Sequence, residues 1–297
     1  MTTTLDLPFQ LGEPRSHAGV TITPLFPRQD PVCEYISLDQ ALAKGLEISE
    51  VDEAGDVGEL AVRNPLDLGV LLYDGEELVG AKQNRILNVS VLLGAGSTTQ
   101  IPVSCVERGR WSWRDRRFQS AGHVAGPELR RRKAASLRTD ALARGAAQRT
   151  VWATVDQQLF QRGVASPTAA NSDGFAARRA EIRDLTERFA YEPGQNGALV
   201  SIAGQGWCLD AVSRPEVFQR IYPKLLAGYV YDVVEQAGEA MDAESAMDAL
   251  CHSVNRRGPS VALGEDIRIE GKGVIGSGLI VGGELIQLCA YGDAAWR

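Results

Sequence analysis

The stretch from Asp74 to Glu107 constrains the fold of this chain more than any other part of it. It reads DGEELVGAKQNRILNVSVLLGAGSTTQIPVSCVE and sets four consecutive polar residues, Lys82 to Arg85, inside apolar sequence typical of β-strands. Polar groups in such a setting cost free energy unless they are hydrogen-bonded or ion-paired. The folded chain must therefore pair these four side chains internally or use them to bind a ligand.

The alternation of side chains along a strand indicates on which face each of the four polar residues would lie. If residues 78–93 form one unbroken strand, one of its two faces is apolar except for Gln83 and Arg85 at the centre. A buried arginine keeps its proton, so Arg85 would need a carboxylate, carbonyl oxygens or an anionic ligand. A bulge or turn at residues 82–85 would instead swing these side chains out of the sheet.

The N-terminal third of the chain has the pattern of β-strands. Apolar runs that end at proline or at polar breaks fill most of residues 19–113. One short helix is predicted within residues 38–52, ending near Gly45 and followed by a strand. Residues 1–17 are predicted to be a poorly ordered lead-in, as chain termini usually are.

Two glycine-containing turns are predicted between these strands. Asp74-Gly75 lies between two apolar runs and predicts a β-hairpin, because both residue types tolerate the positive φ of a tight turn. GAGS at residues 94–97 predicts a second, longer turn between strands. It precedes no helix, which argues against a phosphate-binding loop at this place.

After Trp113 the sequence becomes helical in character. Residues 127–190 are rich in alanine, leucine and arginine, and their apolar residues recur at helical spacings. The pattern predicts two amphipathic helices in this part, separated by a loop at residues 163–174.

Residues 194–291 mix a strand hairpin, helices and further strands. Ser213 and Glu216, three residues apart, predict a capping box that begins a helix. Pro223 lies inside that helix and predicts a kink or two abutting helices. A short alanine-rich helix and a final group of strands follow.

Similar hairpin patterns on both sides of the helical middle indicate one sheet system built from both ends of the chain. We therefore predict an α+β fold in which β-rich N-terminal and C-terminal parts share a sheet system around a helical middle. The domain would span residues 18–297 as a single unit, after the tail at 1–17. Its parts are β-rich 18–113, helical 127–190 and mixed 194–291.

The net charge of −7 is unevenly distributed. Residues 108–188 hold 17 arginines and lysines against 8 acidic residues, whereas the remainder holds 14 against 30. One interpretation is an anion-binding face on the basic segment. The other is that the basic segment packs against the acidic remainder of the same chain.

Several classes of protein are disfavoured by composition. No apolar run approaches the roughly 18 residues of a membrane span, and the N-terminus lacks the pattern of a secretory signal, so we expect a cytoplasmic protein with no membrane contact. Five scattered cysteines without a CxxC pair and three histidines give little support to a metal site. We predict no metal and no cofactor.

Four segments together resemble one known family. They are GEELVGAKQNRILN (75–88), IPVSCVERGRW (101–111), the stretch from GALVSI to SRPEVFQRIYPKLLAGYVYDVV (197–234) and GSGLIVGGELIQLCAY (276–291). The chain resembles the ARG-and-Rhodanese-Phosphatase-superfamily-associated Protein domain family, a prokaryotic group, over roughly residues 20–291. The resemblance implies a link to ADP-ribose or nucleotide chemistry in stress or conflict systems, through association with ADP-ribosylglycohydrolases and rhodanese-like phosphatases. The resemblance implies no catalytic residue, and it is weakest over residues 128–188.

The motif at 75–88 supplies the candidate ligand-binding residues, with one acidic residue from the next strand. We predict a binding site for a phosphate-bearing small molecule, in which Lys82 and Arg85 contact phosphate or carboxylate. The alternative is an internal ion pair of Arg85 with a carboxylate such as Glu107, Asp210 or Glu270, which would serve only the architecture. The predicted site residues are Lys82, Gln83, Asn84, Arg85, Asn88 and Glu107.

The sequence assigns no catalytic residue. Cys105 and Ser104 lack the setting of a nucleophile, and Cys105 is better explained as a core residue of a strand. Glu107, Asp210 and Glu284 flank predicted strand ends, but no pair among them stands out as acid and base. Whether the protein is an enzyme is left open by these patterns.

The arginine-rich helical segment offers a second functional hypothesis. It would make the protein a non-catalytic accessory or scaffold protein that docks a protein partner through this segment. Nucleic-acid binding is disfavoured, because the cations spread around the helix and no aromatic platform lies nearby. The cations are Arg130, Arg131, Arg132, Lys133, Arg138, Arg144 and Arg149.

Overall fold

The described residues form eighteen strands and seven helices. The computed structural model describes residues 7–137, 144–203, 206–233, 242–271 and 273–292. The strands are β1 (Phe9–Leu11), β2 (Arg15–His17), β3 (Val20–Pro27), β4 (Tyr35–Ser37), β5 (Glu47–Glu50), β6 (Glu59–Arg63), β7 (Gly69–Leu72), β8 (Glu76–Gly80), β9 (Arg85–Leu87), β10 (Val91–Leu93), β11 (Thr98–Cys105), β12 (Phe118–Val124), β13 (Gly197–Ile202), β14 (Gly206–Val212), β15 (Val254–Pro259), β16 (Glu265–Gly271), β17 (Val274–Val281) and β18 (Glu284–Gly292). The helices are α1 (Leu38–Leu42), α2 (Pro127–Ser136), α3 (Arg144–Gln161), α4 (Asn171–Ala177), α5 (Arg179–Thr186), α6 (Pro215–Asp232) and α7 (Ala243–Cys251).

The two ends of the chain meet in a nine-stranded sheet, as predicted. Its order is β1-β3-β13-β14-β18-β17-β16-β15, with β2 also paired to β3. The pairing of β3 with β13 is antiparallel and joins Val20 to Ile202, which brings the N-terminal strands next to the C-terminal hairpins. The fold is therefore α+β with a shared sheet system.

Alternation along β13 and β14 gives this sheet two buried faces. Val200 and Cys208 lie in the same core cluster as Phe218 of α6. Their chain neighbours Leu199 and Leu209 lie in a different core cluster, together with Ala246 and Leu250 of α7. The sheet is thus a central layer, with helices packed on both sides.

The remaining N-terminal strands form two smaller sheets. A six-stranded sheet has the order β12-β8-β9-β11-β6-β5, and a three-stranded sheet has the order β10-β7-β4. Ile86 and Val106 pack with Leu129 of α2 and with Val151 and Val155 of α3, so these helices cover the six-stranded sheet.

The predicted hairpin at Asp74-Gly75 is wrong. A tight turn does form, with Gly75 at φ 80° and a hydrogen bond from the Glu76 amide to the Tyr73 carbonyl of 3.1 Å. However, β7 pairs with β10 and β4, whereas β8 pairs with β9 and β12. The turn carries the chain from one sheet to another, because the pairing partners are chosen by distant strands rather than by the turn.

Of the two alternatives for residues 78–93, the unbroken strand does not form and a turn near residues 82–85 does. The stretch is divided into β8, β9 and β10, and the break between β8 and β9 falls on the polar residues. Leu78 pairs with Arg85, so the hairpin of this region lies at residues 81–84 instead of 74–75. Ala81 at φ 36° and Gly80 at φ 133° make this turn possible.

Three further local predictions differ from the structure. Residues 9–11 and 15–17 of the predicted lead-in are strands β1 and β2. The capping box is wrong, because the Ser213 hydroxyl hydrogen-bonds the Tyr35 hydroxyl at 2.8 Å and α6 begins without a side-chain cap. Helix α6 continues through Pro223 as one helix, which excludes the alternative of two abutting helices. In the described parts of the chain, no helix is long and apolar enough to cross a membrane.

Candidate functional site

The candidate site is built on the turn between β8 and β9. Gly80 is required at its start, since a Cβ there would lie 2.5 Å from the Arg117 carbonyl oxygen. The turn does not expose its polar residues: Lys82 is 8% exposed, Gln83 5% and Asn84 1%. The chain therefore buries the four polar residues and must satisfy them internally.

Arg110 holds this turn in place. Its guanidinium donates hydrogen bonds to the Ala81 carbonyl at 2.7 Å, the Gly80 carbonyl at 3.1 Å and Asn84 Oδ1 at 3.2 Å. It also pairs with Glu107 Oε2 at 2.6 Å. Charge-assisted bonds of this kind are about twice as strong as neutral ones, so Arg110 fixes the conformation of the turn.

Glu107 anchors the other side of the network. Its carboxylate accepts hydrogen bonds from the Asn84 amide at 3.1 Å and from Thr168 Oγ1 at 3.0 Å, and its backbone oxygen accepts one from Gln83 Nε2 at 3.1 Å. Burial raises the pKa of Glu107, but the Arg110 and Asn84 hydrogen bonds outweigh burial and leave it below the usual value. Glu107 is therefore an ionised carboxylate committed to the turn.

Arg85 lies opposite Glu50, rather than Glu107, Asp210 or Glu270. It is fully buried, and its Nη2 is 3.8 Å from Glu50 Oε1. Its Nη1 donates to Gln83 Oε1 at 3.1 Å, whereas its Nε and Nη2 are buried without a hydrogen bond to any described residue, as is Glu50 Oε2. Arg85 and Glu50 thus form a buried ion pair in which each partner keeps hydrogen-bonding atoms that are not satisfied by the other.

Lys82 connects the buried turn to the surface. Its ammonium donates to the carbonyls of Glu53 and Ala54 at 2.5 and 2.7 Å. It also lies 5.2 Å from the ring centroid of Trp111 and 5.0 Å from that of Trp113, within the range of cation–π interaction. Lys82 therefore positions two aromatic side chains at the edge of the site.

These two tryptophans are partly exposed and surrounded by arginines. Trp111 is 46% exposed and Trp113 is 39% exposed, and the Arg116 guanidinium lies 4.7 Å from the Trp113 ring. A cleft of about 190 Å³ in the same region is lined by Arg114 and Arg117, together with Val79, Gly80, Asp115 and Gln119. We call this region, Trp111 to Arg117 with Lys82, the tryptophan–arginine surface.

A second group of polar residues lies behind Asn84 and was missed by the sequence reasoning. Glu77, which is fully buried, binds His123 Nε2 at 2.8 Å and Asn171 Nδ2 at 2.7 Å. Asn84 Nδ2 links the groups, lying 3.4 Å from Glu77 Oε1 and 3.2 Å from Ser172 Oγ. No spacing in the sequence connects these residues, because they come from separate strands and a helix start.

The His123 ring is held firmly in this group. It stacks on Phe175 with ring centroids 3.7 Å apart and an interplanar angle of 9°. Its side chain remains about 10% exposed. A histidine oriented by a buried carboxylate is the arrangement that general bases use, since the carboxylate fixes the tautomer and stabilises the charged imidazolium.

Five of the six predicted site residues lie together, and Asn88 lies apart. Asn88 Oδ1 accepts a hydrogen bond from Ser104 Oγ at 2.7 Å, and its backbone oxygen accepts one from Lys133 at 3.0 Å. Cys105 is fully buried, and burial raises the pKa of its thiol. A buried thiol with a raised pKa is a poor nucleophile, in agreement with the interpretation of Cys105 as a core residue.

Two cations of the arginine-rich segment pair with acidic residues of the remainder of the chain. Arg130 binds Asp210 through two hydrogen bonds of 2.9 and 2.5 Å, and Lys133 binds Asp74 at 2.5 Å. Both cations are at most 1% exposed. Arg149 is exposed. Arg138 and the side chain of Arg144 lie outside the described residues.

The described part of the chain contains no cluster of side chains suited to bind a metal ion. No group of three or more histidine, cysteine, aspartate or glutamate side chains there is arranged to hold a metal ion.

The family is shown by a comparison with family models. The model of the ARG and Rhodanese-Phosphatase-superfamily-associated Protein domain matches residues 8–291, which is nearly the whole chain. The chain belongs to this family. Comparisons with curated proteins and with solved structures gave no match.

Proposed function

We propose that this domain binds a small molecule that carries both phosphate and an aromatic base, of which ADP-ribose is the leading example. The observation that carries the proposal is the tryptophan–arginine surface. Two tryptophans, 46% and 39% exposed, lie among Arg114, Arg116 and Arg117, which are each more than 60% exposed. Exposed apolar side chains that lie together and are surrounded by polar residues often mark a binding site.

The chemistry of this surface matches the two halves of such a ligand. A nucleobase stacks on tryptophan, with about 1–3 kcal/mol of binding free energy for each base. Phosphate groups are bound by arginine through paired hydrogen bonds, and the exposed guanidiniums supply them. The association with ADP-ribosylglycohydrolases that the family name records favours ADP-ribose among nucleotide-like ligands.

The buried network would give the surface its shape. Arg110 fixes the turn that carries Lys82, and Lys82 in turn contacts both tryptophan rings. Among the predicted site residues, Lys82 therefore borders the ligand, whereas Gln83, Asn84, Arg85 and Glu107 support the turn from beneath. This is pre-organisation, which raises affinity because the loop is ordered before the ligand arrives.

Processing of the bound ligand would use the Glu77–His123 pair. His123 is oriented by Glu77 and Phe175 and keeps some exposure, and in the proposed reaction it accepts a proton from a water molecule. The pair is joined to the turn through Asn84. We therefore propose hydrolysis as the reaction class if the domain is an enzyme.

Calorimetric titration of the full chain with ADP-ribose, ADP, adenosine and inorganic phosphate tests the proposal. The double variant Trp111→Ala and Trp113→Ala should bind ADP-ribose at least about fivefold more weakly, from the loss of one stacked base. The matched control is Phe160→Ala, which removes an aromatic ring that is 86% exposed on α3. Equal affinity in the double variant and the wild type would refute the proposal.

A second pair of substitutions separates base from phosphate. Replacing Arg114 and Arg117 by glutamine should weaken ADP-ribose and ADP binding and reduce its salt dependence, because those side chains would contact phosphate. Adenosine binding should be unchanged. If adenosine were lost in the same proportion as ADP, the cleft beside these arginines would not be the phosphate site.

Docking of a protein partner through the helical segment is the second candidate function. It is favoured by Phe160, which is 86% exposed near the end of α3. The burial of Arg130 and Lys133 leaves this docking to other side chains of the segment. Phe160→Ser should then release a co-purifying partner from the tagged protein, while Trp111→Ala should leave it bound.

A further inference from the structure

We propose that a second, separate site binds an organic cation, a primary ammonium or guanidinium group on an apolar chain, in a cavity of about 790 Å³ at the β17–β18 turn. The cavity lies between this turn and the loop that follows β3. Phe9, Val281 and Leu285 contribute apolar walls, and Asn196 and Glu284 are the polar side chains on which the proposal rests.

Glu284 presents one oxygen with no hydrogen bond. Its Oε2 accepts hydrogen bonds from the Val32 and Cys33 amides at 3.0 and 2.8 Å. Its Oε1 is buried and has no partner among the described residues. The two amide bonds fix the carboxylate, so the position of the second oxygen is also fixed.

Asn196 presents a second unpaired oxygen at the same cavity. It is 1% exposed, and its Nδ2 donates to the Val212 carbonyl at 2.9 Å. That bond sets the orientation of the amide and leaves Oδ1 buried without a partner in the described structure. Buried polar atoms of this kind are uncommon in native proteins and indicate a bound water, ion or ligand group.

The chemistry of these two atoms selects the ligand. Both are acceptors, so the bound group must donate hydrogen bonds, and the charge of Glu284 favours a cationic donor over a neutral one. Among the other charged residues at the cavity, Asp30 adds negative charge and Arg257 lies 3.7 Å from Glu265. The apolar walls suit an alkyl chain. The site therefore differs from the tryptophan–arginine surface, which suits an anion.

Cys33 provides a reporter for occupancy of the cavity. It lines the cavity and is partly buried, and burial followed by the charge of Glu284 raises the pKa of its thiol. Cys251 on α7 is also partly buried but does not line this cavity. A ligand in the cavity should slow alkylation of Cys33 and leave Cys251 unchanged, which mass spectrometry of digested protein can measure.

Three six-carbon probes test the proposal on the full chain: hexylammonium, hexanol and hexanoate. We expect hexylammonium to protect Cys33 at the lowest concentration, hexanol at higher concentration and hexanoate not at all. Glu284→Gln is the key variant, because the glutamine oxygen can still accept the Val32 and Cys33 bonds while its NH₂ group replaces the unpaired acceptor. Hexylammonium affinity should fall by about tenfold or more, as expected for loss of a hydrogen bond between charged groups.

Asp30→Asn is the matched control, since it removes one negative charge from the same cavity and leaves Glu284 intact. Its affinity for hexylammonium should stay within about twofold of the wild type, as expected for a screened charge that makes no contact. Equal losses in the two variants, or protection by hexanoate as strong as by hexylammonium, would overturn the proposal. Failure of hexylammonium to protect Cys33 would show that water alone fills the cavity and would overturn the proposal too.

ADP-ribose titration of Glu284→Gln should match the wild type, so this proposal and the proposed function can fail independently of each other.

Discussion

Replacement of Arg85 by methionine should destabilise the protein strongly at neutral pH. Methionine has a similar length and no charge, so it removes the guanidinium while filling most of its space. Glu50, whose side chain is 1% exposed, then remains as a buried carboxylate without its cation. Loss of one partner of a buried ion pair typically costs about 3–5 kcal/mol.

The geometry gives a similar magnitude. At the observed 3.8 Å between Nη2 and Oε1, two unit charges attract each other by about 4 kcal/mol at an effective dielectric constant of about 20. Arg85 also donates a hydrogen bond of 3.1 Å to Gln83 Oε1, and the loss of that bond adds about 1 kcal/mol. We therefore expect the free energy of unfolding to fall by about 3–5 kcal/mol.

A double-mutant cycle isolates the ion pair. Glu50→Gln keeps an oxygen that can accept the Lys82 amide bond of 3.3 Å, but it removes the charge. In the Arg85→Met and Glu50→Gln double variant no charge is left unpaired, so the cost should fall to about 1–2 kcal/mol. The two single variants together should therefore lose more stability than the double variant, and this difference, the coupling energy, is typically about 0.5–3 kcal/mol for residues in contact.

The pH dependence gives an independent check. Burial raises the pKa of Glu50, partly opposed by the Arg85 charge, so loss of Arg85 should raise that pKa further. A group whose folded pKa lies above its unfolded value adds stability that is fully present below the unfolded pKa and is lost as the pH rises through the folded pKa. The cost of Arg85→Met should therefore be smallest in acid and grow as the pH rises toward neutrality. The double variant should lack this trend.

Urea unfolding followed by circular dichroism measures all four proteins. With an m-value of about 3 kcal/mol/M, Arg85→Met should lower the urea midpoint by about 1 M or more. A loss below about 0.5 kcal/mol, the usual size for an unconstrained surface substitution, would refute the buried ion pair. Additive effects in the cycle would refute it as well, and would favour an arginine that is free to bind an anionic ligand.

Two further predictions concern titration and catalysis. Burial raises the pKa of Asp232 from 3.8 to about 7. The stability that the protonated Asp232 carboxyl contributes should therefore be lost as the pH rises through that interval. The urea midpoint of Asp232→Asn should lack this pH-dependent loss. If the domain hydrolyses its ligand, His123→Gln should lower the turnover rate by about 10²–10⁴-fold while calorimetric ligand affinity stays near the wild-type value; a variant with unchanged turnover would exclude His123 as the general base.

The hairpins of the large sheet show how much the sequence predicted. The apolar runs around residues 197–212 and 276–291, both after the helical middle, predicted strand hairpins, and both form, as β13–β14 and β17–β18. The hairpin predicted before the helical middle, at Asp74-Gly75, does not form. The periodicity of the alanine- and arginine-rich segment likewise predicted helices, and α2 to α5 lie there. Such patterns are visible in sequence because each is complete within a few turns or one hairpin.

The candidate site shows where prediction from sequence fails. The motif at 82–85 was found, because four polar residues in apolar sequence need an explanation, but the partner of Arg85 was not among the three carboxylates considered. Glu50 comes from a strand 35 positions earlier and lies in a sheet that the pattern did not define. Glu77 and His123 were missed for the same reason, since their contact joins two strands and carries no sequence spacing.

The sequence by itself determined which residues are apolar, where the chain can turn, and that Lys82 to Arg85 must be satisfied. The tertiary structure alone decided which strands pair, so that Asp74-Gly75 joins two sheets while residues 81–84 form the hairpin. It also decided that Arg130 and Lys133 lie buried against acidic residues instead of on the surface. The physical reason is range: turn and periodicity preferences act between neighbours, whereas strand pairing and ion pairing depend on segments that only the folded chain brings together.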